Sequence, residues 1–143
     1  FTHIPANFAI FGEKDYQQLA VIRQMVRDLD LNITILEQPT IRETDGLALS
    51  SRNLYLSASD RKLAPLLYAE MQETANQIAK GTPVDAALAS AKTRLTKAGF
   101  GKIDYFDLRH SDSLQPAETL VPNCRIFAAI WLGTTRLIDN YAL

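Results

Sequence analysis

The sequence is poor in the residues from which covalent and metal-bound frameworks are built. It has one cysteine, Cys124, and two histidines, His3 and His110. A lone cysteine excludes an intramolecular disulfide scaffold and suits a reducing compartment, so a cytoplasmic location is expected. The histidines lie far apart with no ligand spacing around either, and no residue is assigned to a metal. Charge of one sign is equally scarce: 15 Lys and Arg stand against 16 Asp and Glu, a formal net charge of -1. That balance offers no bulk attraction to nucleic acid or to an anionic membrane, so phosphate could be bound only at a local site. No apolar run approaches the roughly 18 residues that a bilayer span demands. The longest, Ile126 to Leu132, reads as a buried strand. Methionine and a signal-like segment are also absent from the start, and the chain reads as a portion of a longer protein.

What is present is the composition of a globular protein, with 47% hydrophobic and 22% charged residues. Asn7 to Phe11 is a short apolar run closed by Gly12, the pattern of a buried strand ending in a turn. Leu19, Ile22, Met25, Val26 and Leu29 then recur at helical spacing and predict an amphipathic helix from about Asp15 to Asp30. Asn32 to Leu36 is β-branched and reads as a second strand. Strand, helix and strand in this order imply a crossover within a parallel sheet. The fold class expected is α/β: the tail of a Rossmann-like parallel sheet over residues 1–47, followed over 48–143 by a small α+β domain. That second part should hold two helices and a three-stranded, largely antiparallel sheet. Ser57 to Asp60 resembles a capping box for a helix running through Leu63, Leu67, Met71, Ala75 and Ile78. Thr82 and Pro83 predict the N-cap and first position of another, ending at Gly99. Strands are expected at Ile103 to Leu108, Arg125 to Leu132 and Arg136 to Tyr141, with a hairpin turn at Gly133-Thr134.

Two constellations carry candidate chemistry. Gly12, Glu13, Lys14 and Asp15 sit where a strand ends and a helix begins, the place where open α/β sheets bind ligands. A glycine there admits close backbone approach, Lys14 supplies a point charge for a phosphate or carboxylate, and Asp15 can accept from ribose hydroxyls. Gln18 shares their edge of the helix. The plainer alternative is that Asp15 caps the helix while Lys14 and Gln18 are merely solvated. The second constellation, Leu49-Ser50-Ser51-Arg52-Asn53 after Gly46, sets two hydroxyls beside a guanidinium in a polar loop. Hydroxyls, backbone N–H groups and the planar arginine fork are phosphate-binding groups, and such a loop has the makings of a mobile lid. Its plainer alternative is a connection whose serines cap the next helix. Arg136, Asp139 and Asn140 read as a structural polar network.

FGEKDYQQL at Phe11 to Leu19, VIRQMVRDL at Val21 to Leu29, DGLALSSRN at Asp45 to Asn53 and WLGTTRLIDN at Trp131 to Asn140 together resemble the pantoate–β-alanine ligase family. The resemblance runs nearly end to end in the family's order, while Arg61 to Asn123 adds little to it. It implies an enzyme of the nucleotidyltransferase group that condenses pantoate with β-alanine, using ATP as substrate together with Mg²⁺. It implies ribose contacts at Gly12 and Asp15, and an ATP-side role for Glu13 and Lys14. Ile41 and Leu49 would face adenine, and Ser50, Ser51 and Arg52 would hold the triphosphate. Gln18 would contact pantoate, and Lys14 and Arg52 are the catalytic candidates. The resemblance also implies a homodimer formed mainly through the family's N-terminal part, which carries an HxGH-type motif not found here. The 143 residues are therefore expected to be inactive alone. Two readings stay open beside it: another nucleotidyltransferase, and a non-catalytic structural domain.

Overall fold

The computed structural model describes Phe1 and His3–Leu143. The chain divides into two compact units, Phe1–Ile41 and Arg42–Leu143.

The first unit is strand, helix, strand. β1 (Phe8–Gly12) runs into a 3-10 turn at Glu13–Asp15, then α1 (Tyr16–Asp28), then β2 (Thr34–Gln38). β1 and β2 pair in parallel, with Phe8 opposite Thr34 and Gly12 opposite Gln38. α1 is shorter at both ends than the expected Asp15 to Asp30. Asp15 lies in the 3-10 turn, and Asp30 takes a left-handed φ of 48° that ends the helix. Tyr16 and Leu19 are buried, whereas Val21 and Leu29 face outward.

The second unit begins with a loop and a 3-10 turn at Ser51–Tyr55, followed by α2 (Ala58–Leu63), α3 (Leu66–Ala79) and α4 (Val84–Ala98). The strands β3 (Ile103–His110), β4 (Cys124–Leu132) and β5 (Thr135–Ala142) form an antiparallel sheet in that order. The parallel pair followed by an antiparallel three-stranded sheet matches the expected α/β class, but there are three helices here instead of two. The Leu63–Ile78 stripe breaks at Ala64-Pro65, because proline has no N–H for the helix ladder and its ring crowds the preceding turn. Half of the capping box forms: Ser57 Oγ accepts from the Asp60 N–H at 3.1 Å, while Asp60 Oδ2 accepts from the Ser57 hydroxyl at 2.7 Å and not from its backbone N–H. The start of α4 differs from the expectation by one residue. Pro83 is the N-cap, in extended geometry, and its carbonyl accepts the first helical bond from Ala87, so Thr82 caps nothing. Gly99 ends α4 in the left-handed region at φ 112°.

The core of this unit lies on one face of the sheet. Phe106, Leu108, Ile126, Ala128, Ile130 and Leu132 form one core with Leu67, Met71, Ala75 and Ile78 of α3 and Ala87, Ala91 and Leu95 of α4, which lies against β3 beside α3. Alternation along β4 delivers the even-numbered residues to that face, as period-2 geometry requires. Cys124 is buried as a small hydrophobe. Gly133 makes the β4–β5 turn possible: its φ is 57°, and a Cβ there would lie 2.9 Å from Asp60 Oδ2.

Candidate functional site

In the first unit, β1 delivers Gly12 to the start of the 3-10 turn and α1 follows at once. Gly12 has an ordinary extended φ of -74°, and a Cβ added to it would meet nothing within 4 Å. No internal contact therefore demands glycine, and the open space beside its backbone is room for a ligand. Asp15 occupies the N-cap position of α1, yet its side chain accepts no capping bond. The plainer reading of Asp15 as a simple helix cap is thus not what the fold uses it for. Its carboxylate is 55% exposed and lies 4.0 Å from Lys14 Nζ, whose own side chain is only 16% exposed. Glu13 is half-buried, Gln18 on the first turn of α1 is exposed, and Ile41 at the end of the unit is exposed.

In the second unit the Ser-Ser-Arg segment is a built turn. Ser50 is its N-cap, and its hydroxyl oxygen accepts from the Arg52 N–H at 3.2 Å. Ser50 thus caps the turn of its own loop and not the next helix, which Ser57 caps, and its hydroxyl still has a hydrogen to donate. Ser51 and Arg52 follow on the exposed side of the turn. Among the described residues, neither the Ser51 hydroxyl nor the Arg52 guanidinium has a hydrogen-bond or ion-pair partner. Burial would make such groups costly, whereas at the surface they are a hydroxyl and a planar cation presented side by side for an anion. Leu49 is exposed just before them.

The stretch leading to this turn is tied down by residues that the sequence reading passed over. Arg42 forms two bonds to Asp139 of β5, at 2.7 and 2.9 Å, lies 3.5 Å from the Tyr68 ring centroid, and donates to the Gly46 carbonyl at 3.1 Å. Gly46 turns the chain at φ 94°, and a Cβ there would meet Tyr68 at 3.2 Å. Leu47 is then buried in the core, and Arg61 of α2 pairs with Glu43 and Asp45. The expected network of Arg136, Asp139 and Asn140 forms only in part: the Asn140 N–H donates to Asp139 Oδ1 at 2.8 Å, while Arg136 bonds elsewhere. Asp139 joins Arg42, Arg136 joins Asp104 at 2.6 Å, and Asn140 accepts from Arg125.

A cleft of about 350 Å³ in the first unit is bounded by Phe1, Pro5, Asn7 and Leu31, near the strand starts and away from Gly12. A groove of about 520 Å³ in the second lies between Leu88 of α4 and Leu108 of β3. Neither is lined by a candidate residue. Among the described residues, no group of three His, Cys, Asp or Glu side chains could hold a metal ion. No described helix is long and apolar enough to cross a membrane.

The candidate motifs thus fall one on each unit, a polar strand-to-helix turn at Gly12–Asp15 and a capped turn at Ser50–Arg52. The family profile described as pantoate-beta-alanine ligase matches residues 1–142, and the chain belongs to that family. It is similar to the pantothenate synthetase of Hahella chejuensis, 57% identical over all of this chain and 50% of that protein. The one from Roseobacter denitrificans is 51% identical over 98% of this chain and 49% of its own length. The crystal structure of pantothenate synthetase from Thermus thermophilus superposes with a TM-score of 0.88 at 43% identity, covering 94% of this chain and 49% of that one. Pantoate-beta-alanine ligase from Francisella tularensis, solved in complex with beta-gamma ATP and beta-alanine, gives a TM-score of 0.67 at 32% identity, over 95% and 43% of the two chains. The chain spans about half the length of the curated relatives it matches.

Proposed function

We propose that this chain is part of an ATP-dependent ligase that joins pantoate to β-alanine. The pantoate carboxylate attacks the α-phosphorus of ATP and expels pyrophosphate. The β-alanine amine then attacks the acyl carbon of the pantoyl adenylate, and AMP leaves. The observation that carries this reading is the pairing of an exposed, unpartnered Ser51 hydroxyl and Arg52 guanidinium on a turn already capped by Ser50. In this assignment Ser50, Ser51 and Arg52 hold the triphosphate, and Leu49 borders the adenine through backbone groups. From the first unit, Ile41 does the same, Gly12 and Asp15 meet the ribose, Glu13 borders the nucleotide, Lys14 adds charge at the phosphates and Gln18 meets pantoate. Negative charge accumulates at the α-phosphorus in the transition state, and the cations Lys14 and Arg52 stabilise it. Mg²⁺ would be held chiefly by the ATP phosphates and would neutralise part of their charge. The ATP and β-alanine bound by the Francisella tularensis ligase support the substrate assignment. We take the full-length enzyme to be a cytoplasmic homodimer, and expect no turnover from the 143 residues alone.

ATP titration of the full-length enzyme carrying Arg52→Ala tests the assignment. The expected loss is about tenfold to a hundredfold in affinity, the ~1.5–3 kcal/mol of a hydrogen bond to a charged group. An unchanged affinity would leave the turn a purely structural feature. Pyrophosphate release without amine-dependent AMP release would point to a simple nucleotidyltransferase instead.

A further inference from the structure

Arg61 is placed to hold the Ser-Ser-Arg turn in shape without belonging to it. It lies in the last turn of α2. Its guanidinium donates to Glu43 Oε2 at 2.5 Å and to Asp45 Oδ2 at 2.6 Å, bridging two carboxylates of the preceding loop. The other Glu43 oxygen, Oε1, accepts from Asn53 Nδ2 at 3.0 Å, and the same amide nitrogen donates to the Ala48 carbonyl at 3.1 Å. Asn53 directly follows Arg52 in the turn, and its backbone N–H donates to the Ser50 carbonyl at 3.1 Å. A continuous chain of bonds therefore runs from Arg61 through Glu43 and Asn53 to the backbone that presents Ser51 and Arg52.

The chemistry of this chain allows only one arrangement of the amide. Reversing Asn53 would set its oxygen against a carboxylate and a carbonyl, two acceptors with no hydrogen between them. As it stands, both amide hydrogens are used, while Oδ1 is enclosed with no partner among the described residues. The fold carries that unsatisfied acceptor in order to keep the two donor contacts. Arg61 is equally committed. The Asp45 carboxyl is held below its usual range, first by the Arg61 hydrogen bond, and the Arg61 guanidinium is held above its own by both carboxylates. Without Arg61, Glu43 and Asp45 would be two carboxylates near each other with no bridging cation, and Glu43 would lose its fixed orientation toward Asn53.

We propose that Arg61 is a positioning residue for nucleotide binding: through Glu43 and Asn53 it fixes the Ser50–Arg52 turn in the shape that receives the triphosphate, an inference that rests on the assignment of that turn to ATP. Arg61 never meets the nucleotide, so its removal weakens ATP binding while leaving pantoate handling intact. Lysine is a poor substitute, because one ammonium cannot span both carboxylates as the planar fork does.

The test uses the full-length enzyme with Arg61→Gln, Arg61→Lys, Asn53→Asp and Arg52→Ala, titrated with ATP and assayed for the KM of ATP and of pantoate. Arg61→Gln is expected to raise the KM of ATP by about tenfold, a typical penalty for a misplaced binding group, with the KM of pantoate and the melting temperature near wild type. Arg61→Lys should recover part of that loss. Asn53→Asp, which sets a carboxylate against Glu43 with little change of shape, should reproduce it, and it carries the test if Arg61→Gln does not fold. Unchanged ATP binding in Arg61→Gln and Asn53→Asp, beside a clear loss in Arg52→Ala, overturns the positioning role and leaves the ATP assignment standing. No loss in Arg52→Ala removes both. Parallel losses for ATP and pantoate with a lowered melting temperature would reduce Arg61 to a general structural residue and also overturn the proposal.

Discussion

The two compact units are made of the same materials and reach opposite degrees of closure. In the second, α3 and α4 cover one face of an antiparallel sheet, and Phe106, Leu95, Ile126 and Ile130 are essentially inaccessible. In the first, Tyr16 and Leu19 are the only buried hydrophobics among the described residues, while Phe8 and Ile10 of β1 are 61% and 67% exposed. The difference follows from sheet type. An antiparallel sheet tolerates one face in water, whereas parallel strands are normally covered on both faces and supported by neighbouring strands. A two-stranded parallel pair with one helix has neither. This agrees with a chain that spans about half the length of its relatives.

The comparison can be broken most directly at the two cores. Leu95→Ala removes a fully buried side chain from the second unit and should cost about 2–5 kcal/mol. Phe8→Ser in the same 143-residue chain removes a side chain that already faces outward, and its effect should stay within about 0.5 kcal/mol. Urea unfolding of the two variants measures both. Similar losses would mean that the first unit has a core comparable to the second.

A smaller effect is expected from the ion pair that secures the loop of the second unit. Asp139 is 4% exposed at its side chain and Arg42 17%, so Asp139→Asn leaves a guanidinium without its carboxylate in a largely enclosed place. Removing one partner of a fully buried pair costs roughly 3–5 kcal/mol, and the remaining exposure of Arg42 brings the expected loss to about 2 kcal/mol. The contrast is with the polar turn of the first unit, where Lys14 and Asp15 are 4.0 Å apart and Asp15 is more than half exposed. There Asp15→Asn should leave the unfolding midpoint almost unmoved. A loss at Asp15 as large as that at Asp139 would remove the distinction between an anchored loop and an open turn.

The elements that the sequence announced are those whose signals are local. β1, α1 and β2 follow from period and composition, although β1, read as a buried strand, is exposed at Phe8 and Ile10. Gly99 and Gly133 mark positions where a left-handed φ closes the turn. The apolar stripe through Leu63, Leu67 and Met71 concealed the break at Pro65, although the proline itself was the signal that could have revealed it. Both candidate motifs were legible, Gly12 to Asp15 and Ser50 to Arg52, because each is contiguous. Their supports were not. Arg42 meets Asp139 across 97 positions and Arg61 meets Glu43 across 18, and no periodicity links residues so far apart. Nor could spacing decide that Ser50 caps its own turn rather than the next helix, or that Asp15 leaves its side chain uncommitted to α1.

The smallest expected effect is a dependence on acidity confined to the second unit. Asp104 of β3 accepts from Arg136 Nε of β5 at 2.6 Å, pairs with Lys102 at 3.0 Å and lies 3.3 Å from the Trp131 indole nitrogen. The hydrogen bond from Arg136, then that from Lys102, lower its pKa from 3.8 to about 2 against the opposing effect of desolvation. A folded-state value below the unfolded one means that this contribution is complete above about pH 4. It fades as the pH falls toward 2, when the carboxylate protonates in the folded chain as well. Trp131 is the only tryptophan in the sequence, so its fluorescence follows this unit alone. In the native protein the Trp131-detected unfolding midpoint should fall across that window, and Asp104→Asn should flatten the fall, starting from a lower midpoint at neutral pH and converging with the native protein near pH 2. If the two proteins lose stability in parallel on acidification, the bridge from β3 to β5 contributes nothing to the closure that separates the second unit from the first.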